Sequence, residues 1–175
     1  MSQLIYLLLI GISLSMDAFS LSLAYGLTEI NKNNKLILSL VVGLYHFIMP
    51  LIGYTFSTIL VKSRYINISL IAGFILIYVG LETILSKENI TCKKNILSYL
   101  LFGLSVSIDS LTIGIGLRAI TNNPFLASFI FSISSFIFTL LGLNIGTYIG
   151  KYLHKYSKSF GGIILIIIGI IMFFK

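Results

Sequence analysis

Two short stretches carry the only aspartates of this 175-residue chain, and the stretches match each other. Gly11 to Ala24 reads GISLSMDAFSLSLA, and Gly103 to Gly116 reads GLSVSIDSLTIGIG. Set side by side without gaps, they pair Gly11 with Gly103, Ser13 with Ser105, Ser15 with Ser107 and Asp17 with Asp109, and Ser20 falls on Thr112. Helical spacing puts Ser13 and Ser20 on the face of Asp17, one turn before and one turn after it, and Ser105 and Thr112 likewise on the face of Asp109. Two carboxylates joined by hydroxyls and backbone carbonyls form a doubly negative, all-oxygen ligand set. Such a set suits hard divalent cations such as Mg²⁺, Ca²⁺ or Mn²⁺. When the ion leaves, protons can replace it, because carboxylates held together without a counter-ion favour protonation. Cation–proton exchange therefore has a physical basis in these residues.

Both acids lie deep in apolar runs. The chain is 57% hydrophobic and 10% charged, with a mean hydropathy of +1.05. A soluble domain carries roughly 25% charged residues, so this chain has too few to cover a water-facing surface and is solvated by lipid. A carboxylate near the bilayer centre costs about 2.5–3.5 kcal/mol on insertion scales, and intramembrane acids default to function. The net charge of +7 is spread thinly over the polar links. That excludes the dense basic stripe of a nucleic-acid binder and fits an anionic cytoplasmic leaflet. The single Cys92 excludes an intramolecular disulfide and a cysteine-cluster metal site. The opening MSQLIYLLLI lacks the basic start of a signal peptide and reads as a spanning segment.

Six apolar runs can hold the acids in place, each about the 20 residues a spanning helix needs. They cover Leu4–Leu27, Leu36–Val61, Ile68–Leu85, Ile96–Leu117, Phe125–Ile149 and Phe160 to the end. Pro50 falls inside the second and predicts a kink. The longest polar link, SKENITCKKN (Ser86–Asn95), divides the chain. The internal repeat continues on both sides of it. GLYHFIMPLIG (Gly43–Gly53) aligns with SISSFIFTLLG (Ser132–Gly142), and AGFILIYVGL (Ala72–Leu81) with GGIILIIIGI (Gly161–Ile170). The expected fold is all-α: a single polytopic membrane domain, residues 1–175, of six transmembrane helices in two three-helix repeats, residues 1–86 and 96–175. An odd number of spans turns the second repeat upside down, the plan of many secondary transporters, whose sites lie at the repeat interface near the midplane.

Orientation follows from Lys and Arg. The links after the first, third and fifth runs hold Lys32, Lys35, Lys87, Lys93, Lys94, Lys151, Lys155 and Lys158; the other side holds Lys62, Arg64, Arg118 and Lys175. The first set reads as cytoplasmic and both termini as outside. These loop lysines read as solvated charges. His46, one turn before Pro50, offers a nitrogen ligand or a proton relay, against the simpler reading of a packing residue. Glu82 reads as an interfacial acid and Asn144 as a helix contact. Gly26, Gly114 and Gly116 permit close helix approach or local unwinding that frees carbonyls as ligands.

Two other classes compete. An intramembrane aspartyl protease also uses two acids, but the G-x-G-D signature of that class is missing at Asp109, where the sequence reads SVSID. A structural or regulatory membrane subunit would use the Asp pair as helix glue. The P-loop pattern is absent, so ATP is not a direct energy source.

SMDAFSLSLAYG, MPLIG and SIDSLTIGIGL together resemble the bacterial manganese efflux pump family, MntP, over essentially the whole chain. The resemblance implies export of Mn²⁺ across the bacterial inner membrane, no prosthetic group, and a place among LysE-type exporters. It implies that the family's membrane aspartates fall on Asp17 and Asp109. The chain departs from the family's common pattern at His46, where Gln or Glu is frequent, and at Glu82, where a basic residue is frequent. A related branch, the sporulation-associated YtaF-like membrane proteins, shares the Asp motifs.

Overall fold

The computed structural model describes residues 2–28, 30–60, 96–117 and 120–153, and helical positions at 77, 78, 81, 84, 163, 164, 166, 167, 170 and 171. Four long helices emerge: α1 (Ser2–Gly26), α2 (Lys32–Leu60), α3 (Ile96–Leu117) and α4 (Pro124–Leu153). Each is long and apolar enough to cross a membrane. They match the first, second, fourth and fifth apolar runs. The third and sixth runs fall outside the described residues apart from the helical positions named.

Local chemistry sets the ends. Asn123 Oδ1 accepts the Leu126 N–H at 3.2 Å and Pro124 opens α4, the N-terminal pairing that a proline without an N–H favours. At the end of α1, the Thr28 hydroxyl donates to the Tyr25 carbonyl at 2.7 Å and satisfies one of the last acceptors. The Lys35 N–H donates to the Asn31 carbonyl at 3.1 Å, so α2 starts at Lys32, four residues before the first apolar position. α2 runs on through Pro50 as one helix.

Backbone-to-backbone seams join helices from different halves. On α4, Gly142, Gly146 and Gly150 lie against α1: a methyl built on Gly142 would stand 2.6 Å from the Phe19 carbonyl oxygen, and one on Gly150 2.6 Å from that of Leu27. Gly26 of α1 returns the contact against Leu143 and Gly146. Only a residue without a Cβ fits there. The α2·α3 seam repeats the pattern, with Gly53 against Leu111 and Gly114, and Gly114 against the Pro50 backbone. The correspondence is residue by residue. Gly53 aligns with Gly142, Leu111 with Phe19 and Gly114 with Ser22. Gly11 rests on Ile130 and Ser134, and Gly103 on the aligned Val41 and Tyr45.

These contacts fix direction. From Gly11 on Ile130 to Leu27 on Gly150, α1 and α4 run the same way. From Gly103 on Val41 to Gly114 on Pro50, so do α3 and α2. α2 and α4 cross in opposite directions, with Gly43 against Ser132 and Lys35 Nζ donating to Asn144 Oδ1 at 3.1 Å. α1 and α3 are therefore antiparallel. Their outer faces stay apolar and exposed, for example Leu9, Ile12 and Met16 on α1 and Phe129, Ile133 and Ile137 on α4. That is a surface for lipid.

Candidate metal site

Asp17 and Asp109 are the only acidic side chains among the described residues, and both are exposed. Their relative position follows from the α1·α3 contact. At one end Tyr25 stacks on Phe102, with ring centroids 4.9 Å apart. At the other, Leu7 and Leu14 share a core cluster with Leu117. Eight residues separate Asp17 from Tyr25 and seven separate Asp109 from Phe102. At 1.5 Å per residue both are roughly 10–12 Å from that stack. On antiparallel helices this sets the two carboxylates at about the same depth.

The helical turn also sets their side. On α1, Gly11, Ser15 and Gly26 meet α4, whereas Ala18, Leu21 and Tyr25 join the cluster that holds Tyr99, Phe102 and Val106 of α3. Asp17 lies one residue from Ala18, on the flank turned away from α4. Asp109 holds the aligned place on α3, one residue from the buried Ser110. Each acid thus borders the same edge of the α1·α3 contact.

The hydroxyls divide. Ser13 and Ser20 are exposed with Asp17, and Ser20 Oγ donates to the Met16 carbonyl at 2.9 Å. Thr112 is exposed with Asp109. Ser105 departs from its aligned mate Ser13: it is buried, and among the described residues its Oγ has no hydrogen-bond partner. His46 is fully buried on α2, its Nδ1 2.9 Å from the Val42 carbonyl. Among the described residues no three His, Cys, Asp or Glu side chains come together, so His46 is not gathered with both aspartates in this arrangement.

Three other expectations change or gain detail. Lys35 is no solvated loop charge; it is buried inside α2 and bonded to Asn144, which makes Asn144 the helix contact expected of it. Gly26 and Gly114 allow close approach, but a methyl on Gly116 would meet nothing within 4 Å. Glu82, Arg118 and Cys92 lie outside the described residues. Gly142, Gly146 and Gly150 follow the G-x-x-x-G-x-x-x-G spacing, the standard signal for a close helix seam in lipid and one that hydropathy alone does not mark.

Comparison with known proteins shows what the chain is similar to. The profile of the Mntp family, described as "Putative manganese efflux pump", matches residues 29–173. A protein of Bacillus mycoides named "Putative manganese efflux pump MntP" is 31% identical over 99% of this chain and 98% of its own length. One of Bacillus cereus with the same name is 32% identical over 98% of this chain and 97% of its own. No solved structure matches.

Proposed function

The chain belongs to the Mntp family, and on that premise we propose that it is a secondary transporter that exports divalent cations, Mn²⁺ foremost, from the cytoplasm in exchange for protons. The observation that carries this reading is the level placement of Asp17 and Asp109 on one edge of the α1·α3 contact, in helices otherwise apolar. Ser13, Ser20 and Thr112 share the acids' exposed faces and extend the oxygen set. The carboxylates hold the ion as anions and take up protons when it leaves. The relatives' names favour Mn²⁺ and an efflux pump over a sporulation-associated role.

Helix direction supports two inverted repeats. α3, the first helix of the second half, runs opposite to α1, and the aligned glycine contacts recur in both halves. The six-span plan, with both termini outside and the repeats at residues 1–86 and 96–175, accords with it. The seams also favour particular moving parts. Glycine contacts tie α1 to α4 and α2 to α3, each pair drawing one helix from each repeat. Alternating access then comes from rocking of the α1·α4 pair against the α2·α3 pair, rather than of one repeat against the other. The Gly43–Ser132 crossing serves as the hinge, and the α1·α3 edge with its acids opens to either side.

The test is Mn²⁺ uptake into vesicles holding the purified protein, with a pH gradient applied and Mg²⁺ or Ca²⁺ as competitors. Uptake driven by the gradient is the expected result. Uptake no greater than in protein-free vesicles would end the reading.

A further inference from the structure

One nitrogen in the core has no role in packing. His46 is 0% exposed. Its Nδ1 lies 2.9 Å from the Val42 carbonyl, which can only accept, so Nδ1 carries a proton and donates. In the neutral ring Nε2 is then a bare lone pair, and it is buried with no hydrogen-bond partner among the described residues. A leucine or phenylalanine would fill the space without leaving a polar atom unsatisfied.

The other half of the chain shows what completes it. Ser135 holds the aligned place of His46, and its Oγ meets Ser15 Oγ at 3.3 Å. Ser15 donates its own proton to the Gly11 carbonyl at 2.6 Å, so Ser135 is the donor to Ser15. Ser107 aligns with Ser15 and spends its proton in the same way, on the Gly103 carbonyl at 2.6 Å. It can therefore only accept from α2. A neutral imidazole has nothing to give it. An imidazolium does: with a proton on Nε2 the ring has a second N–H, and Ser107, at the aligned place of Ser15, is the acceptor that would repeat across α2·α3 the bond that Ser135 makes across α1·α4.

We propose that His46 is a proton-binding site of the exchange, with Ser107 as the acceptor that completes its charged form. Nε2 takes a proton from water on the outer side after the metal departs and yields it to water on the cytoplasmic side. The inference rests on the exchange reading above and adds a proton site apart from the two aspartates. Among the described residues few other groups bear on it. Of titratable side chains on the helices packed against α2, α4 brings none before Tyr148, and α3 brings Tyr99 and Asp109. α2 itself adds Tyr45 and Tyr54, with Lys32 and Lys35 at its start. Asp109, two residues from Ser107, is the one acid among them.

The decisive readout is acceleration of Mn²⁺ flux by a pH gradient in proteoliposomes. In His46→Gln that acceleration is lost, and Ser107→Ala, which keeps the imidazole, loses most of it. Imidazole ¹⁵N resonances, recorded in a His154→Ala background so that one histidine remains, show Nε2 gaining a proton within the pH range over which exchange operates. The spectra need no change at His46, so they decide the matter even if the His46→Gln protein does not fold. Acceleration in His46→Gln equal to the wild type, or a ring that stays neutral across that range, overturns the inference and leaves the exporter reading standing. Wild-type flux indifferent to the gradient overturns both the exchange and this site. No wild-type flux at all defeats the exporter reading itself, and this inference with it.

Discussion

Tyr25 of α1 and Phe102 of α3 stack with centroids 4.9 Å apart, and this one contact sets Asp17 and Asp109 level across antiparallel helices. Asp17→Asn and Asp109→Asn keep the side-chain volume and remove the charge. Each is expected to lower Mn²⁺ flux by about tenfold or more, since losing a charged ligand removes well over 1.4 kcal/mol of binding. Folded yield should hold or rise, because the acid's insertion cost of about 2.5–3.5 kcal/mol disappears. Flux equal to the wild type in either variant would take the acids out of the mechanism. Unfolding of both would favour the helix-glue reading instead.

The seams make a sharper claim about motion. Ser15 and Ser135 hydroxyls lie 3.3 Å apart between α1 and α4. Tyr25 and Phe102 meet between α1 and α3. In a Cys92→Ser background, a Ser15→Cys/Ser135→Cys cross-link ties helices that move together, so flux should survive oxidation. A Tyr25→Cys/Phe102→Cys cross-link closes the α1·α3 edge, so flux should stop and return on reduction. Loss of flux in both oxidised variants would instead show that the repeats themselves are the rocking bodies, since each cross-link joins one repeat to the other.

Gly146 and Gly116 separate seam glycines from idle ones. Gly146 lies against the Leu23 carbonyl and Gly26, whereas a methyl on Gly116 would meet nothing within 4 Å. Gly146→Leu must force α4 off α1 and is expected to cost about 1–3 kcal/mol or more, the range for overpacking. Gly116→Ala should be neutral or stabilise by up to about 1 kcal/mol through helix propensity. Thermal unfolding in one detergent reads both.

Much of this arrangement is legible in the residues, and the remainder is tertiary. α3 spans Ile96–Leu117 as hydropathy predicts, because apolar length alone decides where a helix can sit in lipid. The repeat pairs Gly11 with Gly103 and Gly53 with Gly142, but it does not say which helices these glycines meet. Hydropathy does not find the start of α2, since a helical backbone needs only its hydrogen bonds and Asn31 supplies the first of them through its carbonyl. Nor does spacing tell Ser105 from Ser13. The two hold aligned places, yet one is buried and the other exposed, because their surroundings differ while their sequence positions correspond. Likewise the Gly142, Gly146 and Gly150 spacing marks a face of α4 without naming α1 as the helix that covers it.

Lys35 shows most directly how a partner distant in sequence decides a residue's role. Its side chain is largely buried at the start of α2, and its ammonium donates to Asn144 Oδ1 at 3.1 Å in a partly buried bond, joining α2 to α4 at one end of their crossing. Asn144→Leu removes the acceptor and leaves a partly buried charge short of a partner, which costs about 1 kcal/mol. Lys35→Met alone frees only the amide, which is exposed and can turn to water, so its cost should be smaller. The double variant Lys35→Met/Asn144→Leu replaces both polar partners with apolar ones and should recover most of what Asn144→Leu loses. The three unfolding free energies form a cycle whose coupling measures the bond. Additive losses would mean that the ammonium finds water or another acceptor once Asn144 is gone, and that the α2·α4 crossing is held by the packing at Gly43 alone.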